Sequence, residues 1–244
     1  MKKYIILILL LFVSVSFAQR ADDVRLSKRF GAAGGFTPMW IMPNLDDLNV
    51  QVRDFGLNEL STGGFFGTGG AGFAYVMFVE NLRVGGMGFG GSTSQSETIN
   101  GINKEVKYSI GIGGFTAEYT LPFINKIAVS PGLVIGGGSI EIDAYRNSEN
   151  FVWNEVWNEL ENENEAVDDI SREMNNSFFT ITPTLNVDIP ITRFIAFRVG
   201  GGYVLTLGDS WEVENGQELL NVPSQLSGNS FYIQTGIFFG FFAF

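Results

Sequence analysis

Four ionic side chains stand in stretches that otherwise carry little charge: Arg83, Glu118, Asp188 and Arg198. Read with the period of two that a β-strand imposes, they share one face of their segments. Each also lies a few residues from a short turn, so all four belong at a similar depth. Two guanidinium groups and two carboxylates placed together can neutralise one another as a plug, or line an ion path that opens when the pairing breaks. Acid–base catalysis needs other partners. The chain has His 0 and Cys 0. That removes the Ser-His-Asp arrangement, thiolate nucleophiles, disulfides and the favoured zinc ligand. Carboxylate-only chemistry survives as the one enzymatic option. No residue stands out as catalytic, and no cofactor or metal is expected.

A second set of side chains lies in the acidic segment from Asn147 to Asn176. Val152, Trp153, Val156, Trp157 and Leu160 follow helical spacing, among Glu149, Glu155, Glu159, Glu161, Glu163, Glu165, Asp168, Asp169 and Glu173. One reading is a partner-binding helix with Trp153, Trp157 and Leu160 as its contacts. A second is a carboxylate site for a divalent cation bridging to lipopolysaccharide phosphates, although the EF-hand spacing is missing. A third is a solvated acidic helix that rests its tryptophans on a rim or an outer leaflet. Glycine is abundant, with Gly 31. Yet Gly63-Gly64, Gly69-Gly70 and Gly200 to Gly202 sit inside strand patterns without a following Lys-Ser/Thr and helix, so neither a P-loop nor a Rossmann reading holds. A net charge of -11 leaves no basic footprint for nucleic acid.

The elements that must hold these groups are strands. Ser230 to Phe244 carries no charge and is dense in aromatics. A β-strand of that length crosses a bilayer at a tilt, which takes roughly 9–11 residues. As a helix the stretch would fall short of a hydrocarbon core about 30 Å thick. Strands are expected at 29–42, 63–79, 82–96, 105–121, 127–145, 177–189 and 194–207, and the final segment makes eight. Short turns are expected at Glu80-Asn81, Pro122 to Asn125 and Pro190 to Arg193, with longer loops opposite them. Asn100-Gly101 reads as a hairpin turn, and Trp211 to Leu219 pairs around Asn215-Gly216. Within 44–60, Leu45, Leu48, Val52 and Phe55 suit a short helix behind Asn44, with an extra strand through Asn49 to Arg53 as the alternative. The apolar set of the fifth strand changes parity across Gly136 to Gly138, which predicts a bulge there; the fourth does the same across Gly113-Gly114.

The terminal residues Phe238, Phe242 and Phe244, with Tyr232 further back, resemble the aromatic signature that the outer-membrane assembly machinery reads. Over nearly all of its mature length the pattern resembles the small OmpA/OmpX-type outer-membrane barrels. The fold class expected is therefore all-β: an eight-stranded antiparallel up-and-down transmembrane β-barrel with short periplasmic turns and long outer loops. Lys2, Lys3, the apolar run Ile5 to Val13 and Ser16-Phe17-Ala18 form a secretory signal peptide over 1–18, leaving 19–244 as one barrel domain. Gly, Ala and Thr are expected on the lumenal face, because they fit a narrow lumen and would make a poor soluble surface. The resemblance implies a monomer in the outer membrane among lipid and lipopolysaccharide, non-enzymatic, serving envelope integrity, adhesion or binding of an extracellular partner. A narrow, porin-like pore and a soluble lipocalin-like periplasmic barrel are the alternatives.

Overall fold

The computed structural model describes residues 31–122, 127–148, 153–154, 157 and 169–242. The chain opens with β1 (Gly31–Phe36) and β2 (Met39–Pro43), two halves of one strand interrupted at Pro38, which has no N–H to give to a ladder. A short helix, α1 (Asp46–Asp54), follows. Then come β3 (Phe65–Tyr75), β4 (Leu82–Ile99), β5 (Ile102–Tyr119), β6 (Ala128–Ser148), β7 (Ile170–Pro190), β8 (Ile195–Val213), the small β9 (Gln217–Glu218) and β10 (Ser230–Phe242). All pairings are antiparallel and each main strand pairs with its chain neighbours. β10 pairs with β8 on one side and with β1 and β2 on the other, so the sheet closes into a ring of eight. Closure leaves no free edge, the condition for a sheet in hydrocarbon. Among the described residues no helix is long and apolar enough to cross a membrane.

The helix expected within 44–60 is present; its N-cap position is Leu45, while Asn44 Oδ1 accepts the Asp46 N–H at 3.0 Å. At the far end of β4 and β5, Asn100 and Gly101 have φ of 53° and 79°, the pair of positive values that a two-residue type I′ hairpin requires. Consequently β4 and β5 run unbroken for 18 residues each, rather than fading into a loop. β7 likewise starts at Ile170, so the third outer loop is shorter than the span from Asn147 to Asn176. β6 and β7 have 21 residues each. A span needs roughly half that number, so the β4–β8 wall stands clear of the hydrocarbon on its outer side.

Phe36, Phe66, Phe115, Leu185, Leu207, Ile237 and Phe239 are all exposed on the outer wall, Phe115 at 83%. Scattered apolar surface is ordinary, but a continuous belt of this kind marks contact with lipid. On β7 the expected faces are present: Thr180, Thr182, Thr184, Asn186 and Asp188 point inward, while Phe179, Leu185 and Ile189 point out. β8 also keeps its expected faces, with Ala196, Arg198 and Gly202 buried and Val199, Tyr203, Leu205 and Leu207 exposed, whereas on β3, β5 and β6 large side chains take much of the lumen. β3 buries Phe65, Phe73 and Tyr75, and the outer halves of β5 and β6 bury Tyr108, Ile110, Ile112, Ile140 and Ile142. A lumen filled to interior density needs volume, and these side chains supply it.

That filling also removes the bulge expected at Gly136 to Gly138. Pairing of β5 with β6 runs without a shift from Glu118↔Gly132 to Ile102↔Ser148. The apolar set changes parity because Ile140 and Ile142 face the core, while the outward positions above the belt turn polar. Gly136 serves close approach instead: a Cβ there would lie 2.0 Å from the Gly113 carbonyl oxygen. The register shift that does occur is between β7 and β8, where Ser177 and Phe179 oppose Ser210 and Leu207. The extra residue lies at Gly208, whose φ is 112°.

Candidate functional site

The four ionic residues meet in the inner half of the lumen. Arg83 stands opposite Glu118 across β4 and β5, and Asp188 opposite Arg198 across β7 and β8. The two pairs then join across the barrel. Arg83 Nη1 lies 2.6 Å from Asp188 Oδ2, and Arg83 Nε lies 2.5 Å from Glu118 Oε2. Arg198 grips Asp188 with two parallel bonds, Nε to Oδ1 at 2.6 Å and Nη2 to Oδ2 at 3.0 Å, and reaches Glu118 at 3.5 Å. None of the four is more than 5% exposed. Phe73 covers the Arg83 guanidinium at 4.3 Å and Phe238 covers that of Arg198 at 4.3 Å. Two amides extend the network: Asn186 donates to Glu118 at 2.6 Å and Gln234 donates to Asn186 at 2.8 Å. The charges balance, and an aromatic face covers each guanidinium.

The outer half of the lumen is filled differently. Met39, Ile41, Met87, Tyr108, Ile140, Ile142, Val204 and Tyr232 form an apolar core. α1 lies over it, burying Leu48 and Val52. The segment after the helix is tied down by Asn49, whose amide donates to the Leu60 carbonyl at 3.0 Å and accepts the Leu60 N–H at 2.8 Å. Lys104 Nζ donates to the Phe55 carbonyl at 2.7 Å, pinning the helix end to β5. Between the two halves, Thr37 Oγ1, Thr184 Oγ1 and Gln234 Oε1 are buried without a protein partner.

Above the lipid belt the outer wall is polar. Lys107 Nζ donates to Asp143 Oδ2 at 3.3 Å, and this bond with its charge raises the lysine pKa. Burial, then the neighbouring Asp143, raises the Glu141 carboxyl. Trp153 and Trp157 are exposed at 75% and 51%, with ring centroids 5.8 Å apart edge to face. Leu160 lies outside the described residues, as do the signal segment and Phe244. Phe238 does not face lipid; it packs in the lumen at 1% exposure. Phe242 pairs through its backbone with Gly31. Among the described residues no group of carboxylates could hold a metal ion.

Sequence reasoning brought the ionic quartet together but missed the roles of Gln234, Asn186, Phe73 and the helix lid. A lone amide in the apolar final strand was the available signal for Gln234.

The fold matches a solved structure. A major outer membrane protein from Thermus thermophilus superposes with a TM-score of 0.51 at 7% identity, covering 86% of this chain and 99% of that one. The fold is that of an outer-membrane β-barrel. With its apolar belt facing outward, the barrel belongs in the outer membrane. Weaker likenesses are Ail, the attachment invasion locus protein of Yersinia pestis, solved with the heparin analogue sucrose octasulfate (TM-score 0.39, 9% identity, 87% of this chain and 99% of that one), and CarO2 of Acinetobacter baumannii (0.39, 10%, 87% and 100%). No protein-family model matches the chain, and no curated protein matches it by sequence.

Proposed function

We propose that this barrel is a closed, non-enzymatic surface protein whose work is done by its outer ends. The observation that carries the reading is that both halves of the lumen are filled, by the Arg83–Glu118–Asp188–Arg198 cluster on the inner side and by apolar side chains under α1 on the outer side. Solute passage would require both fillings to move. The structural role is envelope integrity or adhesion, exercised as a monomer among outer-membrane lipid and lipopolysaccharide after insertion by the assembly machinery. Trp153 and Trp157, exposed together on the third outer loop, are the anchors offered to an extracellular protein partner. The 1–18 segment acts as the export signal and the remainder as one domain.

A pore remains the second reading, favoured by the unpartnered Thr37, Thr184 and Gln234 atoms between the two fillings. Single-channel recording in a planar bilayer separates the two. The closed barrel gives no regular conductance steps; uniform steps from protein shown by heat-modifiable migration to be folded would establish the pore. Replacing Trp153 and Trp157 with alanine should abolish adhesion to a binding surface while leaving heat-modifiable migration unchanged.

A further inference from the structure

The outer wall carries a cleft that neither the lumen nor the third loop uses. It has a volume of about 420 Å³ and lies where β4, β5 and β6 project beyond the lipid belt. Its floor is two ladder rows across three strands: Ser96, Glu105 and Tyr145 in one, Thr98, Asn103 and Asn147 in the next. Alternation against the inward Val106, Tyr108 and Ile142 turns all six side chains to the outside. Strand spacing sets the footprint at roughly 10 by 7 Å, the size of one or two sugar rings.

The chemistry of the six residues is mixed in a particular way. Thr98 Oγ1 donates to Asn103 Oδ1 at 2.6 Å, which fixes the amide and leaves its NH₂ group to donate elsewhere. Asn147 offers a second amide with both a donor and an acceptor, Ser96 a hydroxyl, and Glu105 acceptors only. Tyr145 adds an aromatic face with a polar tip. Adjacent hydroxyls, each donating and accepting, joined to an apolar C–H face, would satisfy this set. Charge selects further. Glu105 sits in the cleft, and Glu97 and Lys104 also line it, the lysine with its Nζ already held by the Phe55 carbonyl at 2.7 Å. Glu141, Asp143 and Glu173 follow below on the same wall, where Lys107 is held by Asp143. Sulfate, phosphate and uronate groups are repelled there. We infer that this cleft is a binding site for a neutral saccharide. The inference concerns the outer wall alone and holds whether or not the lumen conducts.

Two sources share this chemistry: the sugars of the surrounding lipopolysaccharide and soluble or host-surface glycans. The test uses the full-length mature protein in phospholipid-only nanodiscs, with folding verified by heat-modifiable migration. Calorimetric titrations use a neutral hexose–heptose fragment of the lipopolysaccharide core freed of phosphate and of its acidic sugar, neutral oligosaccharides unrelated to it, and a sulfated oligosaccharide of equal length. A neutral probe should bind, and which of the two neutral probes binds identifies the source. Tyr145→Ala should weaken binding about tenfold or more, a change readily resolved in Kd. Asn103→Ala with Asn147→Ala should do the same, while Tyr145→Phe keeps most of the affinity. The proposal fails if no neutral probe binds the folded protein, if Tyr145→Ala leaves affinity unchanged, or if the sulfated probe binds more tightly than the neutral ones.

Discussion

The two halves of the lumen solve the same packing problem with opposite chemistries. The inner half holds two arginines and two acids between Phe73 and Phe238; the outer half holds isoleucines, methionines and tyrosines beneath a helix. An apolar filling stabilises in proportion to the surface it removes from water. A buried ionic filling is offset by desolvation, so its net contribution is small while its geometric demands are strict. The comparison teaches that the inner cluster sets which strands stand opposite one another, and the outer core supplies the cohesion. Both occupy the same lumen.

The sharpest way to break this contrast is to remove one member of each half. Arg198→Met leaves Asp188 and Glu118 with a buried deficit of positive charge and should cost about 3–5 kcal/mol. Ile140→Ala opens a cavity in the outer core and should cost about 2–5 kcal/mol, spread over a range set by how far the site relaxes. Reversible urea unfolding in lipid vesicles measures both. The halves separate when each is replaced wholesale. Changing all four ionic residues together to Met or Leu should restore stability to near the starting value, because no charge is left unpaired; no such rescue exists for a set of alanines in the outer core. Asn49→Ala should cost about 1–3 kcal/mol and act locally, raising hydrogen exchange in 46–60 while the barrel strands stay protected. The smallest effect is expected outside the lumen. The Glu141 pKa is raised in the folded protein, so its contribution is present at low pH and lost as pH rises through the folded value. Glu141→Gln should therefore raise the melting temperature slightly at neutral pH and not in acid. An equal gain at both pH values would contradict that sign.

The barrel was legible because strand alternation, turn residues and an aromatic last strand all act locally. The ionic quartet was legible for the same reason: a charge in an apolar strand has few places to go, and Arg83, Glu118, Asp188 and Arg198 share a depth. The outer core was not. Ile140, Ile142 and Tyr108 are apolar residues whose side depends on what fills the lumen, and that filling includes a helix from a distant loop. Parity alone then suggested a bulge at Gly136 to Gly138 where the register is continuous. The bulge at Gly208 is set by the fit of β7 against β8, which no single segment declares.

The central claim is that lipid meets one face of each strand while a closed lumen holds the other. The absence of native cysteine makes this directly measurable with single cysteines at neighbouring positions on β7, Thr184→Cys facing inward and Leu185→Cys facing outward. In vesicles, the account predicts that a membrane-impermeant maleimide labels neither, and that a lipid-soluble maleimide labels only position 185. Labelling of position 184 by the impermeant reagent, with the barrel folded, would contradict it.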